Sequence, residues 1–166
     1  MALDLERYRL EFPLVSSSTY LNHAAVSPIS CRVSKAMTGL LEDVQYFGAR
    51  HFDQWIERVE SARLSATQLL NADSQEIAFV PNTSTAISLF ANALEWETGH
   101  EVVSIEGEFP TNYYPWKALE RKGVRLRRVP QRGGEICLDS IADALTPRTK
   151  VVAVSFVQFL SGYRWT

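Results

Sequence analysis

The chain has 166 residues, which is enough for one domain with its own hydrophobic core. Its 17 lysine and arginine residues and 19 aspartate and glutamate residues give a formal net charge of −2, so no basic field favours nucleic acid or an anionic membrane. Apolar residues make up 46% of the chain and charged residues 22%, a globular composition that argues against disorder.

The N-terminus and the cysteines exclude further classes of protein. Residues 1–9 (MALDLERYR) carry acidic side chains where a secretory signal has a positively charged stretch and then an apolar one. No apolar run approaches the ~20 residues of a membrane-spanning helix. Cys31 and Cys137 lie far apart without partners at metal-ligand spacing, so neither disulfides nor a metal site are indicated. The sequence predicts a soluble cytoplasmic protein with no nucleic-acid or membrane partner.

The first part of the chain, residues 1–71, is predicted to be mostly helical. Residues 19–26 (TYLNHAAV) have the pattern of a short strand that enters a loop. Ser27-Pro28 is expected to open a long amphipathic helix, because serine caps helices and proline is tolerated in the first turn. Gly48 is expected to end this helix, and a second amphipathic helix closes near Asn71.

In the second part, residues 72–166, strand patterns alternate with helix patterns. Short apolar runs predict strands over residues 76–80, 102–105, 124–129 and 151–157, and helical spacing predicts helices over 86–96, 113–119 and 141–145. Such alternation is typical of right-handed βαβ units, with a parallel sheet covered by helices on both faces. We therefore divide the chain into an N-terminal helical segment and an α/β domain.

The loop that follows the first expected strand is residues 81–85 (PNTST). In open α/β sheets, ligands bind at the carboxyl ends of the strands. The N-terminus of the next helix offers free backbone N–H groups and the positive end of the helix dipole, and Thr83 and Ser84 add hydroxyl donors. This corner could hold a phosphate without a lysine. The alternative is that one of these residues simply caps the helix.

Two further loops follow expected strands. Residues 106–116 (EGEFPTNYYPW) contain four aromatic side chains, of which Phe109 lies at the strand-to-helix corner and Trp116 is more typical of a core residue. Residues 158–164 (QFLSGYR) could reach the same crevice, where Arg164 could bind a carboxylate. The glycines form neither a dinucleotide-binding nor a P-loop motif.

Together with residues 20–25 (YLNHAA), these three loops resemble the class V aminotransferase family of fold-type I pyridoxal-phosphate enzymes. That family includes cysteine desulfurases, kynureninases and isopenicillin-N-epimerase-like proteins. The resemblance runs in consistent order from Tyr20 to Gly162. It implies the first part of an aspartate-aminotransferase-like, three-layer α/β/α large domain behind an N-terminal helical segment. It also implies the cofactor pyridoxal 5'-phosphate (PLP), an amino-acid substrate and a homodimer.

The resemblance assigns roles to particular residues. Thr83 and Ser84 take the positions that bind the cofactor phosphate, and Phe109 takes the position that stacks on the pyridine ring. Asn22 and His23 take positions that border the substrate. Desulfurases usually have a histidine in place of Phe109, and phenylalanine cannot transfer protons. The sequence around Phe109 therefore looks more like kynureninases and epimerase-like members, and Phe159 likewise replaces the asparagine that desulfurases commonly place near the cofactor hydroxyl.

Two groups that the family uses are expected beyond residue 166: the aspartate for the pyridine nitrogen and the lysine that attaches the cofactor. The lysines present, Lys35, Lys117, Lys122 and Lys150, do not follow a late strand. We therefore expect the N-terminal portion of a longer enzyme, inactive and without covalent cofactor by itself, and poorly stable or self-associating. The alternatives are a non-catalytic truncated or pseudoenzyme fragment, or an unrelated nucleotide-binding α/β domain.

Overall fold

The computed structural model describes residues 4–164. The chain divides into two compact units between Ile77 and Ala78.

The first unit is helical. Its elements are α1 (Leu5–Arg9), a 3₁₀ turn (Pro13–Ser16), α2 (Cys31–Phe47), α3 (Phe52–Leu70) and a second 3₁₀ turn (Ser74–Glu76). The expected ends of both long helices are confirmed: Gly48 follows α2 with a φ of 57°, and Asn71 closes α3 in the left-handed conformation. Glycine adopts positive φ without steric cost, and asparagine is among the residues that tolerate it best.

Two expectations for this unit are wrong. The first long helix begins at Cys31 and not at Ser27-Pro28, because the Ser30 hydroxyl accepts a hydrogen bond from the Val33 N–H and caps the helix there. Residues 19–26 form no strand; residues 23–25 are a turn and the residues before them have no regular secondary structure. The Tyr20 hydroxyl donates to the Val26 carbonyl at 2.6 Å, so this segment folds back on itself and does not pair with a neighbouring strand.

The second unit contains a parallel sheet. Its elements are α4 (Thr83–Ala93), β1 (Glu101–Ile105), a 3₁₀ turn (Pro110–Asn112), α5 (Tyr114–Lys117), another 3₁₀ turn (Ala118–Lys122), β2 (Arg125–Val129), α6 (Leu138–Ala144) and β3 (Thr149–Val152). The strands lie in the order β2-β1-β3, and both pairings of the central strand β1 are parallel. Parallel neighbours require crossover connections, which the intervening helices supply.

Helices cover this sheet on both faces. Because successive side chains of a strand point to opposite faces, Val102 and Val103 of β1 enter different clusters. Val102 packs with Ala91 of α4 and Trp116 of α5, while Val103 packs with residues of α6 and the chain before it. The predicted three-layer α/β/α class is confirmed, and β1 is buried along its whole length.

The first and the last of the four predicted strands, 76–80 and 151–157, differ from what the sequence predicts. No ladder forms at residues 76–80 within the described part of the chain, although Ile77 has an extended backbone with φ −112° and ψ 120°. The last strand ends at Val152 and not at Val157. After Ala153, whose N–H still donates to Val103, the backbone N–H of Ser155 donates to the Glu108 side chain and leaves the ladder.

Among residues 4–164, no helix is long and apolar enough to cross a membrane.

Candidate functional site

The first loop of the predicted site forms the beginning of α4. The helix starts at Thr83 and ends at Ala93, and so precedes the expected range of 86–96. Asn82 is the cap, since its side-chain oxygen accepts a hydrogen bond of 2.8 Å from the Thr85 N–H. Thr83 and Ser84 therefore lie in the first turn, where helix geometry leaves backbone N–H groups without intrahelical acceptors.

A hydrogen bond joins this first turn to the loop that follows β1. The hydroxyl oxygens of Ser84 and Thr111 lie 2.8 Å apart, and Ser84 is exposed while Thr111 is half-buried. Thr111 belongs to the 3₁₀ turn that follows Phe109. The two loops that the sequence singled out separately are thus brought together. Thr111 itself was not predicted as a site residue, and only its place two residues after Phe109 could have indicated it.

Phe109 lies beyond the carboxyl end of β1 and is half exposed, with 50% of its surface accessible. Its ring meets the ring of Phe159 edge to face, with centroids 5.1 Å apart and planes at 85°. Phe159 comes from the loop after β3 and is 52% exposed. The third loop is therefore part of the same region, and it contributes an aromatic ring rather than a charged group.

Buried polar side chains lie directly before these two phenylalanines. Glu108 is 9% exposed and Gln158 is 1% exposed. Both carboxyl oxygens of Glu108 accept hydrogen bonds of 2.6 Å from Ser155, one from its N–H and one from its hydroxyl. Sequence patterns did not indicate this contact, because two helices and two strands separate the residues that it joins.

Asn22 and His23 belong to the first unit, whereas Thr83, Ser84 and Phe109 belong to the second. The side chains of Asn22 and His23 are exposed. The His23 ring packs edge to face on Tyr20, with centroids 5.3 Å apart, and it borders a cavity of about 560 Å³ within that unit. Their predicted role at the substrate stays a prediction.

Two further residues of the predicted loops have defined places. Trp116 is buried in the core, as expected, and its indole N–H donates to Asn112. Arg164 pairs with Val157 through an isolated antiparallel bridge. Across residues 4–164, histidine, cysteine and carboxylate side chains form no group of three or more that could hold a metal ion.

The chain belongs to the aminotransferase class-V family, whose model matches residues 19–165. It is 31% identical over 157 residues to a probable cysteine desulfurase of Methanothermobacter thermautotrophicus, covering 92% of this chain and 39% of that protein. It is also 31% identical over 165 residues to an uncharacterised protein of Schizosaccharomyces pombe, covering 96% of this chain and 38% of the relative. The chain thus spans about two fifths of the curated relatives it matches.

Solved structures share the fold. The cysteine desulfurase CsdA of Escherichia coli superposes with a TM-score of 0.83 at 22% identity, over 99% of this chain and 44% of that one. A variant of C-DES that carries glycine covalently linked to its PLP cofactor superposes with a TM-score of 0.79 at 22% identity, over 91% and 41% of the two chains. The fold-type I expectation is therefore confirmed, and the alternative of an unrelated nucleotide-binding domain is wrong.

Proposed function

We propose that this chain supplies the phosphate-binding and ring-stacking loops of a PLP-dependent enzyme that acts on an amino acid. The observation that carries the proposal is the 2.8 Å hydrogen bond between Ser84 and Thr111. It brings the first turn of α4 next to the loop of Phe109, so that groups suited to a phosphate and to a flat ring lie at one edge of the sheet. Membership of the aminotransferase class-V family supports the same assignment.

The chemistry of these residues fits the phosphate of the cofactor. In the first turn of α4, the N–H groups of Thr83 and Ser84 point away from the helix body at the positive end of its dipole. Their side chains are exposed and each offers a hydroxyl donor. Such a site binds an anion through many weak donors and does not require a lysine or an arginine.

The chemistry of Phe109 fits the pyridine ring. Half of its surface is accessible, which is a large exposed area for an aromatic side chain at the end of a buried strand. Offset or edge-to-face contact between aromatic rings is favourable by about 0.5–1.5 kcal/mol beyond the area it buries. Phe109 holds a ring in place by packing alone, because its side chain has no proton to transfer.

When bound, PLP serves as the electron sink for the reaction. The residues of this chain bind and orient it: Thr83 and Ser84 hold its phosphate, Phe109 packs on its ring, and Asn22 and His23 border the amino-acid substrate. We place the reaction among lyase, epimerase or transaminase chemistry. The apolar pair Phe109 and Phe159 favours this over desulfurase chemistry, for which the family uses histidine and asparagine at these positions.

The contacts of two of the four lysines, Lys117 and Lys150, support reversible rather than covalent binding. Lys117 pairs with Glu120 at 2.8 Å, and Lys150 donates to the Glu95 carbonyl while its ammonium lies 5.7 Å from the centre of the Trp96 ring. Neither extends from the three loops of the site. We therefore propose that these 166 residues alone bind the cofactor without a covalent bond and are inactive, and that the active enzyme is a cytoplasmic homodimer.

Equilibrium dialysis of the purified protein against PLP tests this function. We expect saturable binding that Ser84→Ala weakens roughly tenfold or more, since a hydrogen bond to a charged group contributes about 1.5–3 kcal/mol. Ser34→Ala makes the same chemical change in the first unit and should leave the affinity unchanged. Borohydride treatment should add no mass to the protein. Equal affinities of the two variants, or a stoichiometric adduct on one lysine, would contradict the proposal.

A further inference from the structure

Two dipeptides of the same kind follow neighbouring strands of the sheet. Glu108-Phe109 follows β1, and Gln158-Phe159 follows β3. In each, a buried polar residue directly precedes a half-exposed aromatic one. The polar pair lies in contact, and so does the aromatic pair. On each strand, the ring contact and the polar contact therefore involve adjacent residues.

Glu108 accepts several hydrogen bonds from the loop after β3. Its carboxyl oxygens accept from the N–H and the hydroxyl of Ser155, both at 2.6 Å, and from the Gln158 amide group at 3.3 Å. The same Gln158 amide group donates to the Ser155 carbonyl at 3.1 Å. The Gln158 backbone N–H donates to the Tyr163 carbonyl at 2.8 Å, which closes the loop on itself.

This buried contact is a costly way to join two loops. An acid removed from water is tolerated only where its hydrogen bonds replace those it made to water. The side-chain carbonyl oxygen of Gln158 is buried and has no hydrogen-bond partner among the described residues. Apolar side chains of similar size would fill the same space without that penalty. The polar pair differs from them in that it fixes direction and spacing, which dispersion contacts do not.

We propose that Glu108 is a positioning residue: its carboxyl group holds the loop after β3 and thereby sets the contact between the Phe109 and Phe159 rings on which the cofactor ring packs. The ligand in this inference rests on the proposed function. The ring contact does not, and it can be measured in the protein without any ligand. Phe159 then acts together with Phe109 as one aromatic wall, and Glu108 affects ligand binding only through that wall.

Fluorine NMR of protein labelled with fluorophenylalanine tests the ring contact first. The chain has eight phenylalanines, and Phe109→Leu and Phe159→Leu assign the two signals of interest. In the native protein, Phe159→Leu should shift the Phe109 signal, because a neighbouring ring is lost. In a Glu108→Ala background, this shift should largely disappear. Glu106→Ala, which removes an exposed acid two residues away, should preserve it. An unchanged shift in the Glu108→Ala background would overturn the proposal.

A double-mutant cycle on PLP affinity tests the consequence for binding. Glu108→Ala and Phe159→Leu should each weaken binding roughly tenfold, and the double variant should bind no more weakly than either single one, since both act through the same wall. If the loss of affinity in the double variant equalled the product of the two single losses, Glu108 would act independently of Phe159, and the proposal would be contradicted. Glu108→Gln, which keeps one acceptor oxygen, should recover part of the affinity.

The two readouts distinguish the possible failures. If the native protein binds no PLP, the proposed function fails, while the fluorine shifts still decide the role of Glu108. If Glu108→Ala does not fold, Ser155→Ala can replace it, because this variant removes only the hydroxyl donor to Glu108. It should reduce the fluorine shift and the PLP affinity in the same direction but by a smaller amount. A folded Ser155→Ala protein with native shifts and native affinity would then overturn the role of Glu108.

Discussion

Asp43 shows how a single side chain joins two helices of the first unit. Its carboxylate lies on α2, hydrogen-bonds the His51 ring at 2.7 Å, and accepts from the Trp55 indole N–H on α3 at 2.7 Å. These two hydrogen bonds, first that of His51 and then that of Trp55, lower the pKa of the Asp43 carboxyl below its ordinary value. The charged form is therefore favoured in the folded protein.

The pKa of Asp43 predicts a pH dependence of stability. A carboxyl group whose pKa is lower in the folded than in the unfolded state stabilises the fold above its unfolded pKa and loses this contribution as the pH falls. Asp43→Asn should therefore be less stable than the native protein at neutral pH, and the difference should shrink as the solution is acidified through the pKa of Asp43. Urea unfolding at a series of pH values measures this. Glu57→Gln, an exposed change on α3, serves as the control, and a difference that stays constant with pH would contradict the prediction.

At the residue scale, local sequence indicated exposed site groups better than their contacts. Thr83, Ser84 and Phe109 could be singled out because each follows an apolar run. The contacts of Ser84 with Thr111 and of Glu108 with Ser155 could not be predicted. Each joins residues far apart in sequence, and no local periodicity or motif encodes such a pairing.

Helix α4 illustrates how competition between capping residues sets the bounds of an element. Several consecutive residues before and within its first turn can accept a hydrogen bond from a helix N–H. Asn82 takes this role, and the helix consequently begins three residues before the expected position. Asparagine is among the strongest capping residues and threonine is weaker, which accounts for the outcome.

The cap of α4 can be tested by its effect on stability. Asn82→Ala removes the acceptor of the Thr85 N–H and should lower the free energy of unfolding by about 1 kcal/mol. Asn92→Ala, in the last turn of the same helix, gains helix propensity and loses one hydrogen bond to Ser88, so it should change stability by less than about 0.5 kcal/mol. Thermal unfolding followed by circular dichroism compares them. Equal losses in both variants would show that Asn82 is not the cap.

Replacement by alanine should have opposite effects on stability at two glycines. Gly39 lies inside α2 with open space where a Cβ would be, so Gly39→Ala should stabilise the protein by about 0.5–1 kcal/mol. Gly123 has a φ of 78°, and a Cβ there would lie 3.0 Å from Thr98, so Gly123→Ala should destabilise by about 1–3 kcal/mol. Chemical denaturation measures both. A stable Gly123→Ala protein would contradict the described turn.

At the element scale, sequence predicted helices better than strands. The positions of Gly48 and Asn71 were sufficient to end two helices, because helix termination depends on the conformation of one residue. A strand depends on a partner elsewhere in the chain. The apolar run at 151–157 accordingly pairs with a neighbouring strand only over its first part. The run at 76–80 has a strand-like sequence but forms no ladder with any other strand within the described residues.

For the whole molecule, alternating strand and helix patterns were sufficient to predict the fold class. A parallel sheet requires crossovers, and the crossover helices must cover its faces, so the three layers follow from the pattern. The spatial order β2-β1-β3 is not contained in any local pattern. It depends on which buried strand of the unit becomes central, and β1 is the strand that is buried throughout.

Exposed apolar surface predicts self-association of the molecule. Helix α2 carries Val33, Met37, Leu40 and Val44 at helical spacing, and all four are between 41% and 57% exposed. A contiguous apolar stripe of this kind usually marks a contact surface. Sedimentation velocity should show a dimer, which Met37→Lys weakens. Leu69→Lys, at an exposed position near the end of α3, should not do so, and a monomeric native protein would contradict this prediction.

A titration with PLP followed by amide proton–nitrogen correlation spectra tests whether these loops form the cofactor site. The amide signals of Thr83, Ser84 and Phe109 should shift together along one saturation curve, and inorganic phosphate should shift only the first two. Shifts confined to the cavity bordered by Arg132, Cys137 and Tyr163, or no saturable shift at Thr83 and Ser84, would contradict a cofactor site at this edge of the sheet.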